Sequence, residues 1–251
     1  MSVRVKHIAV AAFILVFAAG LGMLRSCQKR EDSRRLCSSL DVIIPGTLEF
    51  VTQDDVRGMM DRGYGPYIGV LLDSLDLGRI EHLMESKGVV KDCEAWTTRD
   101  GVLHISISQR TPVLMFKRGE EGFYLDRDAC VMPLHSSYTA DVPVIEGAIP
   151  DLSGGKNTDW SMGVLELMDW IAASKTWKEK IEKVSVNKDG DIELRVTDGK
   201  ERFIFGAPGQ TGSKFSRMEK YYSHIVPSKG EGYYKSVNLK YNKQIICRKD
   251  I

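Results

Sequence analysis

A run of 17 residues without a charge, Ile8 to Leu24 (IAVAAFILVFAAGLGML), constrains this chain more than any other feature. Its length is at the short end of the ~17–25 residues that cross a bilayer as a helix. Arg4 and Lys6 precede it, as in the first region of a signal peptide, but Arg25 and the polar Cys27-Gln28-Lys29-Arg30 follow with no small-x-small cleavage site. Arginine beside the would-be processing position also argues against acylation of Cys27. An uncleaved transmembrane helix is therefore expected over 8–24, with a short N-terminus over 1–7 and a mixed-charge spacer over 25–39. Charge bias does not orient it. Arg25, Lys29, Arg30, Arg34 and Arg35 outnumber Arg4 and Lys6, which would keep the bulk in the cytoplasm, yet long domains translocate largely regardless of such charges.

Composition beyond the apolar run is that of a folded protein: 43% of the chain is hydrophobic and 27% charged, enough for one or two packed cores. With 35 basic against 34 acidic residues, the phosphate-neutralising excess that drives nucleic-acid binding is missing, so neither DNA nor RNA is an expected partner. Five cysteines, Cys27, Cys37, Cys93, Cys130 and Cys247, have no CxxC spacing, and the last three sit in strand-like runs as small buried hydrophobes would. His7, His82, His104, His135 and His224 are isolated, so no metal site is written, and no GxSxG, Walker A or GxGxxG pattern occurs. No cofactor, small-molecule substrate or catalytic residue is expected, and the chain is read as a non-enzyme.

The stretch from Gln109 to Gly147 carries the most specific pattern. Gln109-Arg110-Thr111-Pro112-Val113 closes an alternating run, where a proline belongs at a strand end or edge because it has no amide donor. Phe123-Tyr124-Leu125 resumes strand chemistry, Asp126-Arg127-Asp128-Ala129 turns the chain, Cys130-Val131-Met132 is extended again and Pro133 stops it, which makes a hairpin. The Asp126 and Asp128 carboxylates, one residue apart in that turn, are expected to bond local backbone rather than to act as acid and base. Together with Val142-Pro143-Val144-Ile145-Glu146-Gly147, this stretch resembles the shared box of the FtsQ/DivIB family of bacterial cell-division proteins: an Arg-x-Pro-Val strand end, an aromatic-x-Asp turn, Met-Pro and Val-Pro-x-Ile-x-Gly. Arg110, Pro112, Tyr124, Asp126, Met132, Pro133, Pro143 and Gly147 occupy the box and are expected to be structural. The family usually has glycine where this chain has Ala129. The resemblance implies one span in the cell inner membrane, a cytoplasmic N-terminus, a periplasmic bulk and enrichment at the division septum.

Upstream of the box, Val42-Ile43-Ile44 is a short strand. Thr52 with Asp55 reads as a helix cap ahead of Val56, Met59 and Met60, and Pro66 breaks that helix. Leu77, Ile80, Leu83 and Met84 form the apolar stripe of a second helix ending near Lys87-Gly88, and Val89 to Trp96 and Val102 to Ile107 are strands across Arg99-Asp100-Gly101. This order over 40–110, strand, helix, helix, strand, strand, resembles a POTRA domain, which the family carries at this position. Residues 111–251 are expected to form a β-rich domain with two helices, so the fold class is α+β. The first helix carries Trp160, Val164, Leu167, Met168 and Ile171 behind a Thr158-Asp159 cap, and the second carries Phe215, Met218, Tyr222 and Ile225. Between them Ile181 to Asn187, Ile192 to Val196 and Glu201 to Phe205 make a meander with its best turn at Asp189-Gly190.

A closing strand from Tyr233 to Tyr241, a turn at Asn242-Lys243 and a strand from Gln244 to Arg248 finish the chain. Within it Val237, Leu239 and Tyr241 are expected on one face and Ser236, Asn238 and Lys240 on the other. A strand near a chain end is often a sheet edge, which can take up a partner strand. The family's equivalent Val-Asp-Leu-Arg-Tyr lies where the periplasmic part of the small coiled-coil protein FtsB/DivIC binds; here it reads Val237-Asn238-Leu239-Lys240-Tyr241. The resemblance thus implies a divisome scaffold that joins FtsB/DivIC- and FtsL-type proteins through residues 236–241. A POTRA-bearing chaperone-like module for outer-membrane or secreted chains is the alternative. Such transporters carry several POTRA repeats and a long barrel, whereas 251 residues hold one such unit.

Overall fold

The computed structural model describes residues 35–135 and 138–249. The expected span over Ile8–Leu24 lies outside them, and among the described residues no helix is long and apolar enough to cross a membrane. The chain divides into two compact units, one ending at Gln109 and the other beginning at Arg110.

In the first unit β1 (Ser39–Ile43), α1 (Gln53–Met59), α2 (Leu77–Glu85), β2 (Val90–Thr97) and β3 (Val102–Gln109) follow in that order. β3 lies in the middle of a three-stranded sheet, parallel to β1 and antiparallel to β2. Leu103, Ile105 and Ile107 are buried while Val102, His104 and Ser106 are half-exposed, the alternation the sequence writes. Thr52 and Asp55 form a reciprocal capping box, the Thr52 hydroxyl oxygen accepting from the Asp55 amide at 3.2 Å and the Asp55 carboxylate from the Thr52 amide at 2.9 Å. α1 continues as a π turn over Met60–Tyr64 that ends at Gly65, before Pro66. Val56 and Met60 are buried and Met59 is half-buried. In α2 the buried residues are Ile80 and Met84, whereas Leu83 is half-buried, which corrects its expected place in the core stripe. Leu83 instead leans over Gly63, where an added methyl would lie 2.8 Å from Leu83 Cδ1.

The second unit is one nine-stranded sheet with helices. Its elements are β4 (Pro112–Arg118), β5 (Glu121–Asp126), β6 (Val131–Pro133), β7 (Val144–Gly147), α3 (Thr158–Ala173), β8 (Ile181–Val186), β9 (Ile192–Val196), β10 (Arg202–Gly206), α4 (Thr211–Lys220), α5 (Val226–Lys229), β11 (Ser236–Asn238) and β12 (Ile246–Arg248). The strand order is β12-β11-β10-β9-β8-β7-β4-β5-β6. Leu114, Phe116, Ile145, Leu194, Phe203 and Val237 from the sheet pack with Val164, Leu167, Ile171, Phe215 and Met218 from the helices in one apolar core. Pro112 opens β4 rather than closing the preceding strand, a first-residue position where its missing amide does no harm. Thr158 is not the cap of α3 but its first helical residue; Asn157 precedes it in a left-handed conformation without a side-chain cap. The second helix is also more than one segment. α4 runs into a π turn over Tyr221–Ile225 and then into α5. The extra residue of the π turn rotates the apolar stripe, so Tyr221 is fully buried while Tyr222 and Ile225 are half-buried.

Candidate partner-binding surface

Asp126 organises the turn that follows β5. Its Oδ1 accepts from the amides of Asp128 (2.9 Å) and Cys130 (2.8 Å), and its Oδ2 accepts from Arg110 Nη1 at 2.8 Å. Backbone bonds Ala129 N to Asp126 O and Asp126 N to Cys130 O close the loop at 3.2 and 3.1 Å. Ala129 adopts φ 58°, the left-handed conformation for which glycine is the easier residue, and the Asp126 bonds on either side hold it there. Burial is the largest single influence on Arg110 and opposes its charge, but the hydrogen bond to Asp126 and the nearby Asp126 and Asp128 charges together outweigh it, so its pKa is raised.

The other residues of the box serve the same part of the sheet. Tyr124 is buried opposite Met132 in the β5–β6 pairing, and its hydroxyl accepts from the Ala140 amide at 3.0 Å. Pro133 ends β6 at the sheet margin, and the Pro143 carbonyl accepts from Met115 at 2.9 Å as the chain enters β7. Gly147 has φ 125°, and a methyl there would stand 1.9 Å from the Val186 carbonyl oxygen, so no other residue fits without moving β8. These eight residues hold up the β4–β8 half of the sheet and sit far along the strand order from Ser236 to Tyr241.

The C-terminal segment is placed differently from the expectation. β11 is three residues long and not an edge: it pairs parallel with β10 and antiparallel with β12. Ser236, Val237 and Leu239 are buried, Asn238 is half-buried and Lys240 exposed. Tyr241 is also exposed, and so does not share the buried face of Val237 and Leu239, because the strand has ended before it. Arg217 Nη2 donates to the Leu239 carbonyl at 2.8 Å, and Asn238 Oδ1 accepts from the Lys240 amide at 2.9 Å. Lys240 Nζ pairs with Asp191 Oδ2 at 2.6 Å, a bond that raises its pKa, and its stem covers Gly206. Lys240 is thus committed within the chain.

Among the described residues the open margin at this end is β12. Arg202 N donates to Lys235 O and Leu239 N to Ile204 O, so alternate residues of β11 face β10, and Ser236 and Asn238 face β12. By register Arg248 and Ile246 then face β11, which turns the Cys247 amide and carbonyl outward. Ile246 and Tyr241 are exposed along this margin, and Lys249 Nζ lies 4.3 Å above the Tyr233 ring at its far end. Sequence reasoning recognised a strand here but assigned the edge to its neighbour. Among the described residues Cys37, Cys93, Cys130 and Cys247 are free thiols, and burial pushes the Cys93 thiol up to about 12. Among the same residues, no group of His, Cys, Asp and Glu is placed to hold a metal ion.

A small α+β unit of strand, two helices and two strands, followed by a β-rich domain with a closing hairpin, defines the class: a POTRA-like domain joined to a second, sheet-forming domain. Residues 35–108 match the POTRA-like domain, and residues 111–248 match the family described as FtsQ/DivIB, C-terminal related. The second match alone covers more than half of the chain, and the chain belongs to the FtsQ/DivIB family of cell-division proteins. No curated protein matches it.

Proposed function

We propose that this chain is a non-catalytic scaffold of the bacterial divisome, held in the cell inner membrane by Ile8–Leu24 with both domains in the periplasm, and that it joins FtsB/DivIC- and FtsL-type partners during septum formation. The observation that supports this reading is the open β12 margin in a chain of this family. A strand with outward-facing main-chain groups takes a partner strand by β-augmentation, the main chain supplying affinity and flanking side chains specificity. Arg248 and Lys249 favour an acidic partner segment, and Ile246 and Tyr241 offer apolar contacts. Of residues 236–241, all but Tyr241 support this surface from beside it: Ser236 and Asn238 hold β12 in register, and Lys240 is tied to Asp191.

Asn238→Pro is a poor probe, because Asn238 faces β12 and proline there would break the hairpin itself. Cys247→Pro removes the outward donor while the bonds of Ile246 and Arg248 to β11 remain. In a pull-down with the periplasmic segment of the coiled-coil partner, this variant is expected to lose binding while keeping its circular dichroism. Wild-type capture by the folded variant would refute strand addition at β12. Depletion of the protein is expected to give filamentous, undivided cells, and normal septation would refute the divisome role.

A further inference from the structure

The end of the first unit where the chain enters carries three aliphatic side chains in water. Leu36 and Ile68 are each 53% exposed and Leu71 42%. Single exposed apolar residues are common on protein surfaces, but here they are brought together. Leu36 and Leu71 are direct partners in an antiparallel bridge, flanked by Cys37 N to Val70 O at 2.8 Å and Gly69 N to Cys37 O at 2.7 Å. Ile68 sits at the tip of the Tyr67–Val70 turn, closed by Val70 N to Tyr67 O, where polar residues or glycine are the usual choice. Two cations stand at the same end: Arg35 Nη1 donates to the Arg99 carbonyl, and the Arg99-Asp100-Gly101 turn is tied to this segment by Ser38 N to Gly101 O at 2.8 Å.

The residues that precede this end bear on what lies near it. Ten residues, Arg25 to Arg34, separate Leu24 from Arg35, a reach of at most about 36 Å when fully extended. They include Arg25, Lys29, Arg30 and Arg34 against Glu31 and Asp32, a basic excess that Arg35 extends. An apolar tip flanked by arginine, on a short tether to an apolar span, matches what an interfacial membrane contact requires: aliphatic side chains for the headgroup–acyl boundary and cations for anionic headgroups.

We propose that Leu36, Ile68 and Leu71 dock the POTRA-like unit onto the outer surface of the membrane that holds the chain, with anionic phospholipid as the partner. This rests on the reading of Ile8–Leu24 as an uncleaved span, and it fixes the unit against the bilayer instead of leaving it to swing on a free linker.

The test uses the full chain in vesicles of phosphatidylcholine and phosphatidylglycerol, prepared with or without brominated acyl chains, which quench tryptophan on contact. Ile68→Trp places a reporter at the turn tip, and Leu134→Trp places one on an exposed residue of the second unit. After subtraction of wild-type emission, the Ile68→Trp signal is expected to fall in brominated vesicles, because a side chain seated about 5–10 Å into the headgroup–acyl boundary reaches the brominated chains. The Leu134→Trp signal is expected to stay within error. Adding Leu36→Ser and Leu71→Ser to Ile68→Trp is expected to abolish most of the quenching. Chain that resists alkaline carbonate extraction but shows Ile68→Trp no more quenched than Leu134→Trp overturns the docking alone. A chain stripped from the vesicles by carbonate overturns the span and the docking with it.

Discussion

Arg110 and Asp126 meet at 2.8 Å, a guanidinium and a carboxylate with 20% and 5% side-chain exposure, at the point where the second domain begins. The pair joins the residue two positions before β4 to the end of β5, and the second carboxylate oxygen serves the Asp128 and Cys130 amides. Asp126→Ala would strand a mostly buried guanidinium and two amides together, an expected loss of about 2–4 kcal/mol. Asp126→Asn keeps an oxygen for the amides but turns an NH2 donor toward Arg110, so it loses the charge and that one hydrogen bond, an expected loss of about 1–3 kcal/mol that is smaller than for Ala. Urea unfolding followed by tryptophan fluorescence of the second domain separates the two. Equal midpoints for Ala and Asn would mean that the turn does not depend on the amide bonds.

Two small residues in the same half of the sheet are expected to respond in opposite ways. Ala129 occupies the left-handed region at φ 58°, so Ala129→Gly should stabilise by about 0.5–1 kcal/mol, relief of strain outweighing the greater freedom of glycine in the unfolded chain. Gly147→Ala meets the Val186 carbonyl at 1.9 Å with φ 125°, and should destabilise by about 3 kcal/mol or more. Thermal melts of both variants check this, and a gain at Gly147 would show that β7 and β8 can part easily.

What was legible in the sequence was local. The Thr52–Asp55 box, the alternation along β3 and the Asp126 turn each involve residues a few positions apart, and each formed as its chemistry dictates. The π turns at Met60–Tyr64 and Tyr221–Ile225 have no such signature; one extra residue per turn moved the buried ring from Tyr222 to Tyr221. The sheet margin was illegible for another reason. Which strand lies outermost depends on the parallel pairing of β10 with β11, a long-range contact, and on a three-residue hairpin arm too short to dominate any pattern.

Within the POTRA-like unit the side chains of α2 are expected to rank by burial. Ile80→Ala or Met84→Ala removes a fully buried side chain and should cost about 2–5 kcal/mol. Leu83→Ala, half-buried over Gly63, should cost about 1–2 kcal/mol. Melting midpoints of the three variants give the order, and a Leu83 loss as large as that of Ile80 would contradict the packing.

Lys214 links the second domain's stability to pH. Its Nζ donates to the Ala207 carbonyl at 2.6 Å and lies 4.5 Å from the Phe205 ring; burial, and then the neighbouring Arg217, push its pKa down to about 8 from the ordinary 10.5. Between those values the unfolded chain binds the proton more readily than the folded one, so this group's contribution to stability should rise as pH increases from 8 to 10.5. The difference in urea midpoint between wild type and Lys214→Met isolates it from the buried tyrosines, which titrate higher. A difference that stays flat from pH 8 to 10 would rule out a depressed lysine.

Lys240 decides how the C-terminal segment is read. On a free surface Lys240→Glu would change stability by less than about 0.5 kcal/mol, but here it would set a carboxylate against Asp191, whose own side chain is 15% exposed. A loss of about 1–2 kcal/mol is expected at low ionic strength, shrinking in 1 M salt as the repulsion is screened. The charge exchange Lys240→Glu with Asp191→Lys should recover part of it. Melts of the single and double variants at both salt concentrations measure these differences. If Lys240→Glu is as stable as wild type in low salt while its capture of the coiled-coil partner falls, the ion pair is dispensable and Lys240 belongs to the binding face after all; if stability falls and capture by the folded fraction persists, Lys240 serves the sheet that presents β12.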